Sequence, residues 1–414
     1  MWNRWVPIDS NPPNRDVDTV GIVNNDPVDD AETQDEVGSF GLGLSEPVLP
    51  DYRGPNLSRV VPGCLIDEPG QRPEWFPADL AQAERILLLL VDGLGFDQLQ
   101  SHLDHAPHLA TFSGSPITTV APSTTATALT SLTTGATPLE HGIIGYRMAM
   151  DGVVMNTLRW GSDRADMRKV HPPDRVQPVP PFVGISVPVL SRKELETSAF
   201  THAHLRGSVP LGWRAMSSIV EQARQLFESG ESFVYAYYDG LDKIAHERGF
   251  GPYYETELRL VDWLIGQLLE SLPSGTTIAV TADHGQVAVG SRLISLPGPI
   301  LQVVDYQSGE GRFRWLHARR GRVEELVVMA QEQFGHFAWV RTRDQILDEE
   351  WFGSRGTSAH GEEAIRRMGD VALVPYEDVS FDDPADSGPF PLECRHGSLT
   401  RAEMLVPLIA RSVS

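Results

Sequence analysis

Three short apolar runs recur along the chain, and each stops abruptly at acidic residues: "RILLLLVDGLG" (85–95), "SFVYAYYDGLD" (232–242) and "TTIAVTADHG" (276–285). Uninterrupted runs of this length suit strands buried on both faces, as in a parallel sheet covered by helices. Between them lie segments with helical spacing of apolar residues, "LGWRAMSSIVEQARQLFESG" (211–230) and "YETELRLVDWLIGQLLESL" (254–272). The alternation predicts a doubly wound α/β sheet. Ligands of such sheets bind beyond the carboxyl ends of the strands. Three strands that each end in acid therefore mark a candidate site.

The stretch "ITTVAP" (117–122) reads as another strand. It runs into "PSTTATALTSLTTG" (122–135), where six threonines and two serines predict a short helix closed by Gly135. A hydroxyl at the start of that helix lies where backbone N–H groups and the helix dipole favour a phosphate. Residues 147–205 are rich in Pro and Arg and read as a loop-dominated wall of the cleft. Residues 291–385 change character, with mixed short runs, the arginines of "RFRWLHARRGR" (312–322), a helical piece at 323–334 and an acidic loop at 376–388. The expected organisation is an acidic, disordered arm (1–48), a catalytic α/β domain (49–290 plus 386–414) and an inserted cap (291–385).

Charge narrows the function classes. The 414 residues carry a formal net charge of −22, which argues against affinity for nucleic acid duplexes or anionic membranes. Residues 16–46 contain nine acids and no lysine or arginine, the composition of a solvated arm. An acidic protein still binds phosphate where metal ions reverse the sign inside one cleft. Two cysteines, Cys64 and Cys394, make no disulfide framework and read as free thiols. With no signal-peptide core near the N-terminus and no apolar run long enough to span a bilayer, the expected location is cytoplasmic.

The strand-end residues then gain meaning as a set. Asp92 alone is an ordinary helix cap. Asp242 and His246 are four apart, which puts both on one helical face. Asp283 and His284 follow a buried strand directly, and His396 lies in "CRHGSLT". Three aspartates and three histidines are the oxygen and nitrogen ligands that zinc takes, enough for two ions. A pair of cations about 4 Å apart holds both the attacking and the leaving oxygen of a phosphoryl displacement. His102, His105 and His108 mimic a metal cluster but read as a solvated face, and the cap arginines as solvated or ion-paired.

The ordered set "VDGLG", "PSTTATALTSLTTGATPLEHGIIGY", "DKIAH", "TADHG" and "RHGS" resembles the nucleotide pyrophosphatase/phosphodiesterase family of the alkaline phosphatase superfamily. The resemblance implies an alkaline-phosphatase-like, three-layer α/β/α core with a mostly parallel sheet and an inserted cap. It implies Thr125 as nucleophile, with Ser123 and Thr124 as runners-up, and two divalent ions, zinc before manganese. One ion falls to Asp242, His246 and His396, the other to Asp92, Asp283, His284 and Thr125. The implied substrate is small, phosphorylated and nucleotide-like, its phosphodiester or pyrophosphate bond cleaved through a phosphothreonine.

The pattern departs at one point. Where the family carries an asparagine that holds a phosphate oxygen, this chain has Tyr146, followed by Arg147, and both become candidate substrate contacts. Phosphonate cleavage of the phosphonoacetate-hydrolase kind, or phosphomonoester cleavage, on the same site is the alternative, and a metal-binding protein without turnover is another. Sulfatases need C/S-x-P-x-R, which neither "GCLID" nor "ECRHG" supplies, and phosphomutases of the superfamily carry a serine nucleophile and a different ligand order.

Overall fold

The computed structural model describes residues 46–162, 165–356, 359–385 and 391–414. Residues 1–45, most of the acidic arm, lie outside the described residues. Contacts gather the described residues into one compact unit.

The scaffold is a seven-stranded sheet. In chain order its strands are β1 (Arg85–Val91), β2 (Ser113–Thr118), β3 (Pro188–Arg192), β4 (Val209–Trp213), β5 (Phe233–Tyr238), β6 (Thr276–Thr281) and β7 (Leu405–Ser412). Their spatial order is β2–β7–β6–β1–β5–β3–β4. β7 is antiparallel to both neighbours, and the other pairs are parallel. The sheet is therefore mostly parallel, as the unbroken apolar runs imply. Leu89 in β1 lies between Ala236 of β5 and Val280 of β6, and all three are buried. Helices pack among themselves in two sets. One contains Thr125–Thr134 and Ala199–Leu205, the other Ser218–Glu228, Gly240–Arg248 and Pro252–Ser271. None is long and apolar enough to cross a membrane, among the described residues.

Several sequence expectations shift. The strand expected at 117–122 is β2, which ends at Thr118, so residues 119–124 form the connection that delivers Thr125. The helix expected over 211–230 begins only at Ser218, because residues 209–213 are the edge strand β4. The region 147–205 is not loop-dominated throughout. It contributes a hairpin (Arg147–Met150 with Val153–Asn156), β3 and the helix Ala199–Leu205. The helical piece at 323–334 forms as expected, over Val323–Phe334.

Within the stretch expected to form the cap, four antiparallel strands, Val304–Glu310, Phe313–Ala318, Val371–Pro375 and Ala338–Thr342, form a second sheet. It has a small core of its own around Leu316, Leu326, Phe334 and Leu373. Arg312 ties it to the end of the chain. Both Arg312 and Glu403 are fully buried, with Nε donating to Oε1 at 3.1 Å and NH2 to Oε2 at 2.6 Å. Arg319 lies 4.0 Å from Asp305 and Arg322 pairs with Glu325.

Candidate metal centre and nucleophile

Topology assembles the site. β6, β1 and β5 are adjacent and parallel, so the residues after Thr281, Val91 and Tyr238 emerge at one edge, with strands about 4.8 Å apart. Asp92, Asp283 and His284 meet there, fully or almost fully buried. Gly93 turns the chain behind Asp92 with φ +73°, and a Cβ there would stand 2.6 Å from Gln286 Nε2 and 3.0 Å from Asp242 Cβ. Asp242 and His246 lie on one face of the helix Gly240–Arg248 that follows β5, with His246 Nε2 3.3 Å from Asp242 Oδ1.

His396 arrives from far along the chain. The short strand Cys394–Arg395 pairs with Val287–Ala288, just beyond His284. Glu393 N–H also donates to the His246 carbonyl at 2.8 Å. The three elements are thus stitched together by main-chain bonds. His396 completes a second cluster with Asp242 and His246, and its ring stacks on His284 at 3.5 Å.

The histidines share one tautomer. Nδ1 of His246 donates to the Cys394 carbonyl at 2.7 Å, Nδ1 of His396 to Ser123 at 2.9 Å, and Nδ1 of His284 to Gly285 at 3.1 Å. A proton on each Nδ1 leaves an Nε2 lone pair facing the cleft, which is the orientation a metal ligand requires. Burial pushes the basicity of His284 and His396 down, so both stay neutral.

The carboxylates show the complementary problem. Burial raises the Asp92 carboxyl well above its ordinary range, and the nearby Asp283 and Asp242 raise it further. Burial also raises Asp283 and Asp242. One oxygen of Asp92 accepts from the Tyr237 hydroxyl, and one of Asp283 accepts from the Gly93 and His284 N–H groups at 3.1 and 3.0 Å. The opposite oxygens, Asp92 Oδ1 and Asp283 Oδ2, are buried without any hydrogen-bond partner. They lie 3.6 and 3.4 Å from His284 Nε2. Orphaned carboxylate oxygens beside an imidazole lone pair fit a divalent cation, which would reverse the local electrostatics.

Thr125 stands at this cluster. It is the first residue of the helix Thr125–Thr134, after Thr124 at the N-cap, and its Oγ1 lies 3.1 Å from His284 Nε2. Several neighbouring hydroxyls are otherwise occupied, although that of Thr127 is buried without a partner. Thr130, Thr133 and Thr134 donate to carbonyls four residues back at 2.6–2.9 Å, which is how a buried helix tolerates threonine. The runner-up Ser123 donates to the Ser398 carbonyl at 2.6 Å and accepts from Gly397 N–H at 3.1 Å. It holds the loop that carries His396.

A cavity of about 270 Å³ opens beside Thr125, Asp92 and Asp242. Neither Tyr146 nor Arg147 lines it. Tyr146 is half-buried, and its carbonyl accepts from Thr157 N–H at 2.8 Å. The buried Arg147 guanidinium donates to Asp383 at 2.6 Å, and Arg314 donates to the same carboxylate oxygen at 3.1 Å. The three histidines at 102, 105 and 108 belong to neither cluster: His108 pairs with Asp262 at 2.7 Å, and His102 packs on Tyr254. Two supporting groups escaped sequence reasoning. Tyr237 carries a signal of sorts, a tyrosine next to the last position of a buried strand. Gln286, whose Nε2 donates to Asp242 Oδ1 at 2.7 Å, carries none.

The family model for type I phosphodiesterase / nucleotide pyrophosphatase matches residues 86–398, well over half of the chain. No curated protein sequence matches significantly. Among solved structures, murine ectonucleotide pyrophosphatase/phosphodiesterase 5 superposes with a TM-score of 0.59 at 14% identity, covering 79% of this chain and 88% of that one. The human protein of the same name gives 0.59 at 16% identity, covering 79% and 87%. Phosphonoacetate hydrolase from Sinorhizobium meliloti, in complex with phosphonoformate, gives 0.56 at 16% identity, covering 79% and 90%. At these identities the likeness is one of fold.

Proposed function

The chain belongs to the type I phosphodiesterase / nucleotide pyrophosphatase family, and from that premise we propose that it is a two-metal hydrolase of phosphodiester or pyrophosphate bonds with Thr125 as nucleophile. The observation that carries the proposal is the meeting of two three-ligand clusters, one of them within hydrogen-bond distance of the Thr125 hydroxyl. Asp92, Asp283, His284 and Thr125 would hold one ion, and Asp242, His246 and His396 the other. Two divalent ions, zinc by ligand type, supply charge neutralisation and lower the pKa of a hydroxyl they bind.

The chain's own groups do the remainder. The N-terminus of the helix Thr125–Thr134 points backbone N–H groups at an incoming phosphate. Thr125 Oγ forms the new bond to phosphorus as the bond to the departing alcohol or phosphate breaks, leaving a phosphothreonine. Water then cleaves that ester and restores the hydroxyl. Without cations, three buried acids offer a phosphate no positive charge, so the proposed turnover requires the metals. The expected substrate is a small phosphorylated molecule. A murine relative, inactive as a threonine-to-alanine variant, has been seen in complex with AMP, which supports both the substrate class and the role of a threonine.

A second reading, cleavage of a phosphonate, is favoured by the fold shared with phosphonoacetate hydrolase. Hydrolysis of bis-p-nitrophenyl phosphate and p-nitrophenyl phosphate, by metal-free protein, zinc-loaded protein and Thr125→Ala, tests the proposal. Zinc-dependent diester cleavage that the variant lacks is the expected result. Cleavage by the variant at the wild-type rate would overturn it.

A further inference from the structure

Much of the cavity beside Thr125 is walled by Leu129, Leu158, Leu195, Phe200, Leu205 and Tyr235, with the small hydroxyl residues Ser191, Ser198 and Thr201 between them. Leu129 lies one helical turn after Thr125 and so on the same helix face. At about 270 Å³, it exceeds the roughly 150 Å³ that houses a benzene molecule in an apolar core. One aromatic ring or a short branched chain fits.

Its charges are already matched. Among the described lining residues Lys243 is the one cation, and Asp239, four residues earlier, holds it. Asp239 also lies 3.6 Å from Arg192. His204 adds no charge. Its Nδ1 donates to the Phe200 carbonyl at 2.7 Å, and burial holds its pKa down to about 4. Asp92 and Asp242 belong to the two metal clusters. A phosphate or carboxylate entering here would lose its water and meet mostly apolar carbon and a few hydroxyls, the unpartnered one of Tyr235 among them, with no uncommitted cationic side chain.

We propose that this cavity seats one uncharged, largely apolar arm of the substrate, so that the preferred substrates are simple diesters bearing an aryl or compact alkyl group. Nucleoside polyphosphates and carboxylate-armed phosphonates are disfavoured. The assignment rests on the hydrolase reading above and narrows it.

Calorimetric binding of methylphosphonate, phenylphosphonate and phosphonoacetate to the zinc-loaded protein isolates the arm, since the three differ only there. Phenylphosphonate should bind at least about ten-fold tighter than methylphosphonate, with phosphonoacetate no tighter than the methyl compound. Leu158, 38% exposed at the rim, tolerates a charge, and Leu158→Lys should narrow the phenyl-to-phosphonoacetate ratio at least about five-fold. Equal binding of phenyl and methyl compounds, tightest binding of phosphonoacetate, or a ratio unmoved by Leu158→Lys would each overturn the assignment. Turnover of the p-nitrophenyl esters of the first two separates the two claims. Turnover without arm preference refutes the cavity assignment alone, whereas arm-selective binding without any turnover upholds it and refutes the hydrolase reading.

Discussion

Tyr237→Phe removes a single oxygen, and the structure says what that oxygen does. The hydroxyl donates to Asp92, whose other oxygen faces His284 Nε2 at 3.6 Å without a hydrogen-bond partner. In the metal-free protein, burial and the neighbouring Asp283 and Asp242 push Asp92 toward its neutral form, for which the donor matters less. Loading a cation demands the carboxylate, and the hydroxyl's contribution then appears in full. A hydrogen bond to a charged group contributes about 1.5–3 kcal/mol, and each 1.4 kcal/mol is about a factor of ten. Zinc affinity at the Asp92–Asp283–His284 cluster should therefore fall about 10- to 150-fold, in line with the effect of other groups that orient metal ligands. The Asp242–His246–His396 cluster, supported by Gln286 and main-chain carbonyls, should be nearly unaffected. Competition for zinc against a chromophoric chelator resolves the two affinities, with circular dichroism to check the fold. Two affinities within about two-fold of wild type would refute the reasoning, and equal losses at both clusters with a lowered Tm would mean a merely structural role.

Three further outcomes are expected. Thr125→Ala should lower kcat for bis-p-nitrophenyl phosphate at least about a thousand-fold while the protein still takes up zinc at the Asp242 cluster, as stopped-time assays and metal analysis would report. Arg312→Met leaves Glu403 buried and charged, with only the Ser398 N–H and the Thr400 hydroxyl to satisfy it. Urea denaturation should register a loss of about 3–5 kcal/mol, much of it restored in the Arg312→Met/Glu403→Leu double variant. Buried His141 accepts from Ile143 N–H at 3.1 Å and lies 2.7 Å from Ser131 Oγ, and burial holds its pKa down to about 3 against 6.5 in an unfolded chain. Between those values the unfolded chain carries a proton that the folded one does not, so stability is complete above about 6.5 and declines as pH falls, by up to about 1.4 kcal/mol per unit. His141→Gln should flatten that slope in urea titrations between pH of about 6 and about 4; an unchanged slope would show that His141 is not the titrating group.

The sequence exposed the parts of this molecule whose chemistry is extreme. β1, β5 and β6 are legible because both of their faces are buried, which leaves no polar interruptions, and their acidic ends are legible because nothing else requires an aspartate there. β3 and β4 escaped for the opposite reason. Each has only five residues, each contains proline or glycine, and Val209 at the sheet edge is 48% exposed, so neither shows the continuous apolar signature. The six residues that cluster were readable as spaced motifs, but their supports were not, because Ser123, Gly285 and Cys394 act through carbonyl groups that every residue possesses. Arg147 was read as a phosphate contact from its neighbour in sequence. Its partner Asp383 is separated from it by 236 positions, a pairing no local pattern encodes.

The position of β7 bears on how the protein comes into being. β7 follows the other six strands in sequence yet lies inside the sheet, second from one edge, and among the described residues it alone joins β2 to β6. While the chain is being synthesised, β2 has no sheet neighbour to pair with, and the loop bearing His396 is still to come. The sheet therefore stays unfinished until β7 has been made, a topology rich in distant contacts that slows folding and exposes an unpaired edge meanwhile. Removing β7, a change that looks peripheral on paper, would strip β2 of its sheet partner and bare the β6 edge beside Asp283 and His284.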